Sequence, residues 1–385
     1  MKRRILGTII ACVMIVSFFN FKIEAKTLEV KETPEGVVKN LFEELELSKD
    51  RGESKSNKQL QSLFSAGERR RYISGAKNTI SLLDLYLEVA SLESGSLKEE
   101  NKKLLFEDVK QEKREGVVVV SFILHKKWNY VGLDNLESET IDKMSVLFKK
   151  ENNEWKISGI DGLTNYVLFV DDEFGDDQIS FDDKDCLVKK YNDNVRKQKE
   201  VAIINPVKMM LEHDNLLRGT NYNRYTAIEY AMNHALSYNP NYHDFRNEGG
   251  DCTNFVSQCF AAGGIRQKTG NSGSVNCWYY RSAKDRSATW TGAAQLNKYL
   301  KGGSSNIDIE LTNFDHIDVG DLISLSNKKS GVVKHSIFVT GIVWASYGHQ
   351  DLIICAHTTN RRNVSYNSYY YSGWNSEFIH VKGNK

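Results

Sequence analysis

Asn247–Gly264 reads NEGGDCTNFVSQCFAAGG, and the architecture of the C-terminal half is worked out from this stretch. Gly249-Gly250 supplies a turn, Asp251 is a good helix N-cap, and Gly263-Gly264 supplies a stop, so the spacing predicts a helix from about Cys252 to Ala262. Phe255, Val256, Cys259 and Phe260 fall on the same side as Cys252, which places the thiol on the face that packs against the domain. In the first turn of a helix, unpaired backbone N–H groups and the positive dipole end favour thiolate over thiol. The same N–H groups can meet a developing oxyanion.

A nucleophilic thiolate needs a base and a group that orients the base. Upstream, Tyr225, Ile228, Ala231, Met232 and Ala235 give an amphipathic helix that stops before Asn239-Pro240. Downstream, three short apolar runs read as strands: Leu322–Leu325 after Gly320-Asp321, His335–Val343, and Leu352–His357. The last two are close enough for an antiparallel hairpin. If the turn centres on Ser346, His335 stands opposite His357, and both imidazoles share a face with Ile337, Val339, Ile353 and Cys355. One ring can then take the proton from Cys252 while the other fixes its tautomer.

From Tyr222 to His380 the chain resembles the Putative amidase domain family of the papain-like cysteine peptidases. The likeness rests on YNRYTAIEYAMNHALSYNPNYHDFRNEGGDCTNFVSQCFAAGGI followed in order by Trp278, Trp290, GDLI, HSIFVTGI and AHTTN. That family is common in exported proteins of Gram-positive bacteria, and the chain is also similar, more distantly, to the NlpC-type cell-wall peptidases, in which DCxxFV opens the catalytic helix and a GD strand precedes the strand of the catalytic histidine. The resemblance implies a papain-like α+β fold, with N-terminal helices packed on an antiparallel sheet. It implies Cys252 as nucleophile, His335 as base and His357 as the orienting third residue, with Asn360 as the alternative orienter. Asp251 and Asn254 flank the nucleophile, and Tyr242 corresponds to an upstream tyrosine that assists the oxyanion. No cofactor or metal is implied. The expected activity is amide hydrolysis, with peptidoglycan or peptide as substrate. Acyl transfer to an amine, a wall-binding module on a degenerate peptidase fold, and a zinc site built from Cys252, His335 and His357 are the rival readings.

The rest of the chain sets the context. Lys2, Arg3 and Arg4 precede an apolar run from Ile5 to Phe19 that is shorter than a membrane span of about 20 residues. Residues 1–25 are therefore read as an export signal, with an uncleaved N-terminal anchor as the alternative; both place the rest of the chain outside the membrane, secreted or at the cell wall, with no stable membrane insertion once the signal is cleaved. Cleavage there removes four basic residues and one acidic one, taking the formal charge from +1 to −2. So balanced a chain lacks the basic footprint that nucleic-acid binding needs. Six cysteines with no CxxC spacing make neither a disulfide framework nor a zinc finger, and leave thiols free for chemistry. Residues 26–170 read as a small α+β domain. It has a helix from Thr33 to Leu47, another from Ala76 to Leu92, a strand at Val117–Leu124 and a hairpin at Met144–Ile160 turning at Glu151-Asn152-Asn153. Residues 171–218 read as an acidic loop and a helical connector, and 219–385 as the amidase domain.

Overall fold

The computed structural model describes residues 33–166 and 221–385, apart from 75–77, 93–98, 115, 132–135, 164–165, 329, 346–347, 367–368 and 370–373. The export signal at 1–25 and the acidic loop and connector at 171–218 lie outside the described residues. Among the described residues, no helix is long and apolar enough to cross a membrane.

The N-terminal half begins with α1 (Pro34–Asp50), where Pro34 presets the first turn and the Thr33 hydroxyl accepts the Gly36 N–H. Three further helices follow, α2 (Lys58–Ser62), α3 (Ala66–Ile73) and α4 (Thr79–Leu92). Then comes an antiparallel run of β1 (Glu99–Arg114), β2 (Val117–Tyr130), β3 (Glu137–Glu151) and β4 (Glu154–Asp161). The β3–β4 turn is made by Asn152 and Asn153, both at positive φ, a conformation asparagine tolerates and tight hairpins require. β1 has no counterpart in the sequence reading. Its EENKKLLFEDVKQEKR run is mostly exposed and charged, as suits a sheet edge that must not recruit another chain.

The C-terminal half contributes α5 (Arg224–His234), α6 (Cys252–Ala262), α7 (Ala288–Thr291) and α8 (Ala293–Lys301). Its strands are β5 (Ile307–Thr312), β6 (Leu322–Ser326), β7 (Val333–Ala345), β8 (Gly348–Ala356), β9 (Asn360–Ser365) and β10 (Asn375–Asn384). The result is a mixture of helices and antiparallel sheet. All ten strands form one sheet in the order β1-β2-β3-β9-β8-β7-β6-β10-β5, with β4 also on β3. The join is β3, whose Ser145–Glu151 segment pairs with β4 while Glu139–Ile141 pairs with β9. A buried ion pair, Asp142 to Arg361 at 2.7 Å, crosses the same seam.

Two buried clusters fill the molecule. Helices α5, α6 and α8 pack on Leu322, Phe338, Cys355, Ile379 and Val381. Ile323, Leu325, Ile337, Val339, Ile354 and Ala356 belong instead to the cluster built mainly by the N-terminal half. Side chains alternate along a strand, so the two clusters lie on opposite faces of β6–β8.

Candidate active site

Helix α6 spans the predicted residues, and Cys252 is its first residue, 6% exposed. Gly249 and Gly250 reach it through φ of 97° and 99°, a region open to glycine at little cost. Asp251 stands at the N-cap position but makes no capping bond. Its carboxylate instead accepts from Phe245 N–H at 2.9 Å and Asn254 Nδ2 at 2.8 Å, and lies 2.6 Å from His357 Nδ1. The cap comes from another strand connection: Thr358 Oγ1 accepts the Asp251 N–H at 2.8 Å and the Cys252 N–H at 3.1 Å. The Cys252 N–H that the sequence reading reserved for an oxyanion is therefore already bonded.

His357 departs from its expected role. Its Nδ1 is engaged by Asp251 and its Nε2 lies 2.7 Å from the His234 carbonyl oxygen. The ring is stacked between Tyr238 at 4.0 Å and Phe255 at 4.1 Å. It fastens the β8–β9 turn and the Asp251 loop to α5, and no nitrogen is left to orient His335. Asn360 is also engaged, its Oδ1 accepting from Tyr238 Oη at 3.0 Å.

His335 is 5% exposed, and among the described residues neither ring nitrogen has a hydrogen-bond partner. The ring stacks on Tyr369 with centroids 5.6 Å apart. Burial, and secondarily the positive charge of Arg361, holds the imidazole down at about 3. The expected opposition of His335 and His357 fails on register. Ala345 pairs with Gly348, bulges interrupt the hairpin twice, and Phe338 rather than Ile337 faces Cys355. One residue of slip exchanges the faces of a strand. His335 pairs with Leu325, on the face of the N-terminal core, while its neighbour Ser336 faces α6 and meets Thr253 Oγ1 at 3.0 Å. No hydrogen bond joins His335 to Cys252.

The sulfur lies 3.7 Å from Thr253 Oγ1, with the Ser336 N–H also directed at it. Burial is the largest influence and raises the thiol above its ordinary value, the Asp251 charge adds to it, and the N–H and hydroxyl donors act against it without prevailing. Burial thus holds the resting sulfur towards the thiol rather than the thiolate that the sequence reading expected at a helix start.

The remaining candidates are structural in position. Asn254 is buried, its Nδ2 donating to the His243 carbonyl and Asp251 while its Oδ1 accepts from Trp290 Nε1 at 2.8 Å. With those bonds made, Asp251 and Asn254 build the loop rather than face a substrate. Tyr242 stacks on Trp290 at 6.0 Å and Tyr280 at 5.0 Å, half-buried, with its phenol raised by burial. Thr358, Thr253, Ser336, Tyr369 and Arg361 were missed in the sequence. The only available cue to Thr358 was its place directly after His357. A cleft of about 360 Å³ opens beside the Cys252 loop, with Phe245, Gly249, Gly250, Arg286, Ser287 and Gln295 among its lining.

Residues 221–382 match the model of a family described as Putative amidase domain. The chain is similar to the uncharacterized protein YjcM of Bacillus subtilis, 29% identical over 208 residues that make up 49% of this chain and 46% of that protein. It is similar also to the uncharacterized protein YhbB of the same organism, 27% identical over 129 residues, 33% of this chain and 40% of that protein. The chain thus spans less than half the length of these curated relatives. No solved structure matches it.

Proposed function

We propose that this chain is an exported cysteine amidohydrolase acting on amide bonds of peptidoglycan stem peptides, with Cys252 as nucleophile and His335 as general base. The observation that carries the reading is a buried thiol at the first position of α6 and, one residue before the Ser336 N–H that faces it, a buried imidazole with neither nitrogen engaged. Leaving a buried polar atom unpaired costs about 1–3 kcal/mol, so such a ring needs an occupation. The family match supports amide chemistry, and the basic-then-apolar start of the chain supports export.

Thiol and imidazole are both neutral at rest, so proton transfer belongs to the substrate complex, where catalytic hydrogen bonds commonly tighten. His335 lies on the face of the N-terminal core, so the transfer requires its side chain to swing round the start of β7 towards α6; the ring is stacked rather than hydrogen-bonded, and that swing breaks no hydrogen bond among the described residues. As the substrate carbonyl meets the sulfur, His335 takes the thiol proton, the S–C bond forms, and the proton then passes to the leaving amine. Water, deprotonated by His335, resolves the thioester.

Purified peptidoglycan incubated with wild type and with Cys252→Ala, then analysed by mass spectrometry, tests the reading. New amine and carboxyl ends released by the wild type alone are the expected result. Release by Cys252→Ala, or none by the wild type, overturns it, and an added amine reports any acyl transfer.

A further inference from the structure

We propose that the Thr358 hydroxyl is the oxyanion donor of this site, passing the polarity of the α6 N-terminus to the substrate carbonyl. The inference rests on reading the chain as a cysteine amidohydrolase. A threonine oxygen offers two lone pairs and one hydrogen. Both lone pairs are taken, by the N–H groups of Asp251 and Cys252 at 2.8 and 3.1 Å. Among the described residues the hydroxyl hydrogen has no acceptor, and Thr358 is half-exposed beside a buried nucleophile. A hydroxyl that accepts twice is polarised towards donating. It stands where the Cys252 N–H, the direct donor, would otherwise place the substrate oxygen.

The arrangement is built at a cost. Thr358 adopts φ of 75°, rare for a β-branched residue, and such strain persists where surrounding structure enforces it. The enforcing structure is His357, held by Asp251, the His234 carbonyl and two aromatic rings. Gly250 completes it, because a Cβ there would stand 3.1 Å from Thr358 Oγ1. In the step itself the thiol proton goes to His335, the S–C bond forms, and the carbonyl π pair moves onto oxygen. That oxygen then receives the Thr358 O–H hydrogen bond, and the hydroxyl keeps its proton.

The test uses the full chain as wild type, Thr358→Ser and Thr358→Val, with two probes of Cys252. N-acetyl-alanyl-alaninal adds to the thiol through an oxyanion, whereas iodoacetamide alkylates it by displacement with none. Expected are a loss of about 100-fold in aldehyde affinity and in amide turnover for Thr358→Val, as for removal of one oxyanion donor, and recovery to within several-fold in Thr358→Ser. Alkylation should stay within about threefold throughout. Unchanged aldehyde affinity in Thr358→Val, a gain showing that the hydroxyl blocks the site, or a parallel fall in alkylation showing a helix cap alone, each overturns the proposal while leaving the cysteine reading intact. A wild type that forms no hemithioacetal at Cys252 overturns that reading and the proposal with it.

Discussion

Two histidines that look equivalent in sequence carry opposite physical signatures: His357 has both nitrogens engaged, and His335 has neither. Replacing His357 by alanine removes one of the three partners of the buried Asp251 carboxylate, so about 1–3 kcal/mol of stability should be lost in urea unfolding at an unchanged denaturant slope. His335→Gln should abolish amide turnover yet keep the fold. It should also change the acid response. Burial holds the native imidazole down at about 3, below the ordinary 6.5, so as pH falls the unfolded chain takes up its proton first. Stability present above about pH 6.5 is then lost progressively towards pH 3, by roughly 4 kcal/mol for this one group. Unfolding midpoints measured from pH 7 to pH 4 should fall more steeply in wild type than in His335→Gln. Equal slopes would show that this ring is not the titrating group.

At the level of elements, the nucleophile's position depends on the fit between the Gly249-Gly250 turn and the β8–β9 connection. Gly250→Ala puts a side chain at φ of 99° and a Cβ against Thr358, so the cap on Cys252 must shift. About 1–2 kcal/mol of stability should go, and aldehyde addition at Cys252 should weaken. Gly249→Ala, with open space around its Cβ, should cost backbone strain while leaving the cap in place, and the difference between the two is the measurement. Helix α6 was legible because its apolar spacing and terminal glycines are local signals. The β7–β8 register was not, because the pairs at both ends of the hairpin, Ala345 with Gly348 and Phe338 with Cys355, are one residue off a turn centred on Ser346, the two bulges between them offset one another, and nothing in a run of alternating apolar residues fixes the centre of the turn.

Over the whole molecule, the N-terminal half is part of the body that holds the site. Arg361, fully buried and electrostatically felt by His335, is paired with Asp142 on β3. Asp142→Leu alone should cost about 3–5 kcal/mol by removing the buried carboxylate that pairs with the guanidinium, and adding Arg361→Met should recover most of it in chemical denaturation, since a buried pair is often replaceable by apolar groups. No recovery would mean that the pair does more than neutralise itself. A chain restricted to 219–385 would bare the β9 edge and the Ile337–Val339 face together, and size-exclusion chromatography should find it associated rather than monomeric.

What the amino-acid sequence by itself determined was local: the span of α6, Cys252 at its first turn, the strands around Gly320-Asp321, His335 and Cys355, and the Asn152-Asn153 hairpin. Each follows from periodicity, capping or turn chemistry within a dozen residues. Only the tertiary structure decided which face His335 occupies, which groups engage His357, and that Thr358 rather than Asp251 caps the nucleophile. Those outcomes depend on strand parity, on contacts between residues 106 and 107 positions apart, and on the burial that raises the thiol.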